Sequence, residues 1–438
     1  MSVTLNSLTN SLKILVVGHA VNPRMGSEPG FTWNWAWHLA ARHKVVCISY
    51  PEYKIDVDAF LEENPNPNLE FVWLTLPRRL DPWNPAKGAR GLGLHYLMWQ
   101  RAAFKKAEKL HALYNFNIAH QVSLGTLSVP PLLWRLGVPF VWGPIGGGQI
   151  SPRQFRKYFG ASWIKEELRN FRIRSLPLMP SLRRACKGSE LVLATNKESY
   201  ALIKKSGARR VELLLDAGLS RINFGFKNKL EVVYGTEKKG LVLLWAGRHE
   251  DRKGLPLALE ALRTIPDLDV RLIVAGDGVR RSEWEAVTRQ YGLHSKVDFI
   301  GTVPHEKMDR LFSSVDAFLF TSLRDSFGSV VLEAMAHELP VITLNHQGVG
   351  TFVPDTAGIK VPVTTPEETV RELANAIRHL ALFPQERMKA GMAALEFANK
   401  QTWERRTSQM EQWYGGILDE WRSRSHPPKE MRMELRIP

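Results

Sequence analysis

Residues Thr321–Ile342 read TSLRDSFGSVVLEAMAHELPVI. The apolar run just before them, DAFLF at Asp316–Phe320, predicts a buried strand. A polar turn carrying Asp325 follows, then an apolar-periodic helix over about Phe327 to His337. Leu339-Pro340 stops that helix ahead of another short β-rich run. The unit is strand, loop, helix, with Ser326 and Gly328 at the helix mouth. Small residues there leave backbone N–H groups open to a ligand, and the helix dipole favours an anion. Asp325 lies before the helix, and Glu333 lies roughly 7–8 Å into it at 1.5 Å per residue. Each has two readings. An Asp in this position also serves as a helix N-cap. A Glu inside VVLEAMA either faces solvent or meets a partner, because a lone buried charge is costly.

The flanking sequence repeats the same grammar. LVLLWAGR, VRLIVAG, KVDFIGTV and PVITLN alternate with helical patterns, which predicts a series of parallel βα units. LKILVVG at Leu12–Gly18 opens an earlier series. It continues through the helix FTWNWAWHLAARH and the strand VVCISY, with further strands at Leu69–Leu74, Ile118–Val122, Phe140–Trp142 and Leu191–Ala194. Two doubly wound α/β domains are therefore expected, at 1–218 and 219–401. The linker falls at about Val211–Leu241, and a tail follows from 421 to 438.

In the first domain Gly26 and Gly30 flank a loop after strand one, where turn chemistry or a close ligand approach explains them equally. GPIGGGQ places Gly146, Gly147 and Gly148 at the carboxyl end of a strand, where open α/β sheets bind ligands. His120 ends a neighbouring strand and reads as structural. In the second domain GRHEDRKG puts Arg248 and Lys253 at a strand end. They form either a solvated basic loop or, with the Thr321–Ile342 unit, a diphosphate site flanked by hydroxyl-binding acids.

Composition narrows the classes. Cys47 and Cys186 make neither a disulfide framework nor a metal site, and no His/Cys metal-ligand spacing occurs. No stretch approaches about 18 uninterrupted apolar residues, so a cytoplasmic protein is expected. The net charge of +15 is uneven: residues 1–218 hold 29 Lys+Arg against 15 Asp+Glu, and residues 219–438 hold 30 against 29. A basic first half implies an anionic partner there. In the basic stretch 153–187, Phe155, Phe159 and Trp163 recur at helical spacing. That pattern fits an interfacial helix on anionic lipid or a helix covering the core.

The motifs together resemble the GT-B glycosyltransferases of family four, the glycosyl transferases group 1, in a bacterial polysaccharide-type form. GRHEDRKG matches the family's G-R-x-x-x-x-K-G. GDG at 276–278 and VDFIGTVPHEKM follow in order, and DSFGSVVLEAMA matches E-x-F-G-x-x-x-x-E-A. TWERR…YGGIL resembles the closing helix, at 402–420, that crosses back to the first domain. The likeness is strong over 241–345 and weaker before it.

The resemblance implies a metal-independent hexosyltransferase. It would use a nucleotide-diphosphate sugar as co-substrate, with no further cofactor, and a lipid-linked or polysaccharide acceptor, with retention of anomeric configuration. Arg248 and Lys253 would hold the donor diphosphate, and Asp325 would contact the transferred sugar; these three are the expected catalytic residues. Glu333 would bind the ribose, Val303 would line the base pocket, and Gly26, Ser326, Phe327 and Gly328 would offer backbone to the donor. A peripheral position on an anionic membrane is implied, and nucleic acid is not expected as a partner. The chain departs from the family at Asp325, which replaces a Glu, at Met25, which replaces a Gly, and in GPIGGGQ, which holds no His. Two alternatives remain: a nucleotide-sugar epimerase of the same architecture, and a basic binding protein on an inactive scaffold.

Overall fold

The computed structural model describes residues 11–84, 88–220 and 240–425. Most of the expected linker, residues 1–10 and the tail beyond Ser425 lie outside the described residues. Two parallel sheets form, as expected of a GT-B fold. The first contains β1 (Lys13–Val17), β2 (Lys44–Ser49), β3 (Leu69–Trp73), β4 (Ile118–Gln121), β5 (Phe140–Ile145), β6 (Leu191–Ala194) and β7 (Val211–Leu213). Their order is β3-β2-β1-β4-β5-β6-β7. The second contains β8 (Leu241–Ala246), β9 (Val270–Ala275), β10 (Val297–Gly301), β11 (Ala317–Phe320), β12 (Val341–Leu344) and β13 (Gly358–Val361), in the order β10-β9-β8-β11-β12-β13. Each sheet reverses its winding between its first and fourth strands, and that reversal opens a crevice at the carboxyl edge. Continuous apolar runs such as Ile14–Val17 and Ala317–Phe320 are buried throughout because helices cover both faces.

Several expectations are corrected. Val211–Leu213, read as linker, pairs parallel with β6 as an edge strand. The closing helix runs Trp403–Ser425, so Trp421–Ser425 are helical rather than tail. The helix of the Thr321–Ile342 unit is shorter than its apolar period suggested, at Ser329–Ala336. Phe155 and Phe159 are not a lipid-facing pair. They sit in short 3-10 turns over Arg153–Ser162 and are buried in the second domain's core, in one cluster with Trp245, Leu255 and Leu262. Trp163 packs against the same cluster. The first domain thus hands two aromatic anchors to the second.

The return crossing does the converse. Leu219 bridges to Thr402 in parallel. Met410, Tyr414 and Ile417 then join a first-domain cluster with Ile14, Val16 and Trp35, and Trp403 meets Trp35 edge-on at 5.5 Å. No helix among the described residues is long and apolar enough to cross a membrane.

Candidate active site

Two loops at the carboxyl edge of the second sheet build the site. After β8 the GRHEDRKG loop must turn sharply into the helix Leu255–Arg263. Gly254 allows this with φ +66, and any Cβ there would stand 2.3 Å from the Thr321 carbonyl oxygen. That close approach laces the loop to the segment after β11: the Arg252 carbonyl accepts hydrogen bonds from Leu323 N at 2.7 Å and Ser322 Oγ at 3.1 Å.

Asp325 is fixed by this lacing. Lys253 Nζ lies 2.5 Å and Arg252 Nη1 3.5 Å from Asp325 Oδ2. Ser326 N donates to Oδ1 at 3.0 Å, and Asp325 N donates to Gln347 Oε1 at 2.8 Å. Burial works against the carboxylate, but the Lys253 and Arg252 charges overcome it and hold the group below the usual carboxylate range. Burial also pulls the Lys253 ammonium down, against the support of Asp325.

A cavity of about 400 Å³ opens between the domains. Arg248, Asp325, Ser326 and Gly328 line it from the second domain, and Glu28, Gly125 and Gly146 from the first. Gly146 approaches so closely that a Cβ would lie 2.4 Å from Ser326 Oγ. Gln149 Nε2 donates to that same Oγ at 3.3 Å, so the GPIGGGQ loop touches the helix mouth directly. Behind it, Arg324 Nε lies 2.7 Å from Glu166 Oε1 across the domains. Glu28 accepts from Gly125 N at 2.7 Å, and burial pushes its carboxyl up. Asp216, on the segment that crosses between domains, also faces the cavity. Burial raises its carboxyl to about 7, with Arg406 opposing and Asp325 adding to the rise.

The remaining expected residues are placed unevenly. Lys253 stands behind Asp325 rather than in the cavity wall. Phe327 is fully buried in the core with Val331 and does not line the cavity. Glu333 is half-buried one turn into its helix and outside the cavity lining. Val303 lines a separate cavity of about 380 Å³ with Ile300, Thr302 and Lys307. Gly26 is the N-cap of the helix Ser27–Leu39 and positions Glu28 two residues on. His120 is a structural histidine: Nδ1 and Nε2 each lie 2.6 Å from a partner, the Tyr414 hydroxyl and the Gly143 carbonyl. Burial lowers its ring to about 4.

Asp216 was missed in the sequence, although it is a lone acid in the apolar run LLLDAGL. Glu333, in VVLEAMA, carries the same signal. Among the described residues no group of three or more His, Cys, Asp or Glu is placed to hold a metal ion.

The glycosyl transferases group 1 family model matches residues 226–396. The phosphatidylinositol N-acetylglucosaminyltransferase GPI3 subunit of Saccharomyces cerevisiae is 29% identical over 152 residues, 33% of each chain. The chain thus spans about a third of the length of this curated relative. Among solved structures, sucrose-phosphate synthase from Thermosynechococcus elongatus superposes with a TM-score of 0.66 at 18% identity, covering 93% of this chain and 100% of that one. The Anabaena HepE protein, solved in complex with UDP, superposes with a TM-score of 0.60 at 18% identity, covering 91% and 98%.

Proposed function

We propose that this chain, which carries a glycosyl transferases group 1 domain over residues 226–396 within a GT-B fold, transfers a sugar from a nucleotide-diphosphate donor to a lipid-linked or saccharide acceptor. The observation that carries the reading is the interdomain cavity, where Arg248, Asp325 and the helix mouth at Ser326–Ser329 converge. The helix N-terminus at that mouth suits a phosphate, with the Ser326 N–H already given to Asp325 Oδ1. Arg248, its side chain 72% exposed and 3.2 Å from Glu250 Oε1, exchanges that carboxylate for a second phosphate. Preorganised cations of this kind stabilise the charge that develops on a departing nucleotide diphosphate.

Lys253 acts in two ways. It holds Asp325 in place, and it adds positive potential behind the diphosphate. Asp325 binds a hydroxyl of the transferred sugar. Glu333 lies deeper along the same helix and serves the ribose, while Val303 and its cavity serve the base. Transfer proceeds with retention and needs no bound metal. The basic first domain brings the enzyme to an anionic membrane surface from the cytoplasmic side.

A thermal-shift screen against a panel of nucleotide sugars tests this reading, because a bound donor raises the melting temperature by mass action. One nucleotide sugar is expected to stabilise the protein, and an acceptor is then expected to consume it. Conversion of the donor sugar without acceptor identifies an epimerase instead. Salt-sensitive nucleic-acid binding with no donor shift overturns the reading in favour of a binding scaffold.

A further inference from the structure

The helix Trp163–Ser175 is built inside out. Its buried face carries Glu166, Asn170 and Ile173. Its outer face carries Ile164, Leu168 and Phe171, exposed to 71%, 66% and 68%, and Leu178 follows at 77%. At 100° per residue the three helical side chains fall within an arc of about 60°. A surface helix ordinarily points its apolar stripe inward. Here polar contacts fix the opposite rotation. Glu166 accepts from Ser151 Oγ at 2.6 Å and pairs with Arg324 at 2.7 Å, and Asn170 Nδ2 donates to the Ser151 carbonyl at 3.2 Å. The apolar stripe is therefore held outward by the same contacts that join the domains.

Charge identifies the occupant. Exposed Lys165 and Arg172 flank the stripe on one side. On the other side Arg174 and Arg153 surround Glu167, at 3.8 Å and 3.0 Å. Apolar residues between cations match the boundary between acyl chains and anionic headgroups, where long basic side chains keep their charge in water.

We propose that this face docks on an anionic lipid bilayer, with Ile164, Leu168, Phe171 and Leu178 entering the headgroup boundary. Because Glu166 on the inner face holds Arg324, which directly precedes Asp325, docking sets the cleft at a fixed height above the lipid surface. That geometry rests on the glycosyl-transfer reading for its purpose but not for its existence.

Co-sedimentation with phosphatidylcholine vesicles, with and without phosphatidylglycerol, tests it in the full chain. The wild type is expected to bind the anionic vesicles, and added salt is expected to weaken binding. Combined Leu168→Gln and Phe171→Gln substitutions should reduce binding at least ~10-fold while leaving donor-induced thermal shifts unchanged. The charge variant Lys165→Gln with Arg172→Gln should lose only the preference for anionic vesicles. Equal vesicle binding by wild type and the apolar variant overturns the proposal, as does a wild-type dimer that the apolar variant dissolves. A missing donor shift with intact vesicle binding counts against the transferase reading alone.

Discussion

The Lys253 ammonium lies 2.5 Å from the Asp325 carboxylate, deep at the edge where two strand-end loops meet. The pair ties a cation expected to serve phosphate to an acid expected to serve sugar, so neither residue acts alone. Removing Asp325 takes away the carboxylate that Lys253 shares with Arg252, while Arg252 keeps Glu250 at 2.8 Å. Asp325→Ala is expected to cost roughly 3–5 kcal/mol in urea unfolding, the usual penalty for breaking a buried pair from one side. Asp325→Glu keeps the charge and lengthens the reach by one methylene. It should unfold close to wild type while changing the relative KM values of competing donor sugars.

Two acids in one cavity respond to pH in opposite senses. Asp325 is held below its ordinary range, so its contribution is present above the unfolded pKa and is lost as pH falls through the folded one. Asp216 is raised from 3.8 to about 7. Between those values the folded state binds the extra proton, so stability falls as pH rises, by at most about 1.4 kcal/mol per pH unit. Asp216→Asn removes that titration. Urea unfolding from pH 4 to 8 should show a flatter profile for the variant than for wild type. Identical profiles would refute the assignment.

Gly146 brings the first domain against the helix mouth. A methyl group there would stand 2.4 Å from Ser326 Oγ and 3.2 Å from Thr195 Oγ1. Gly146→Ala should lower kcat/KM by about tenfold or more, equivalent to about 1.4 kcal/mol, because the cleft can no longer close fully. The same variant should change the melting temperature little, since the clash is relieved by opening.

Phe155 sits in the second domain's core although its neighbours in sequence belong to the first. Phe155→Ala should cost about 3–5 kcal/mol and leave vesicle binding intact. A variant of normal stability that no longer binds vesicles would restore the lipid-facing reading of this residue.

What could be read from the sequence follows from how local each signal is. Strand-end loops such as GRHEDRKG and the unit around Asp325 carry their chemistry in consecutive residues, and parallel strands announce themselves as unbroken apolar runs. Both sheets were legible for that reason. The 3.6-residue spacing of Phe155, Phe159 and Trp163 was real, but periodicity does not say which body a face packs against, and the second domain claimed it. The outward stripe of Ile164, Leu168 and Phe171 has the same spacing. Only the three-dimensional placement of Glu166 against Arg324 decides that this stripe points to solvent. Asp216 shows in the sequence only as a lone acid in LLLDAGL; the groups that act on its carboxyl, Asp325 and Arg406, come from the second domain and the closing helix.

Under the proposed function, the second-domain edge binds a nucleotide-diphosphate sugar through Arg248 and the helix that carries Glu333. This binding is tested most directly by measuring sugar transfer, with the donor identified in the panel screen, for a double variant carrying Arg248→Ala and Glu333→Ala. A loss of roughly 100-fold or more in kcat/KM is expected, in a protein that still folds. Unchanged transfer by the folded double variant would contradict it.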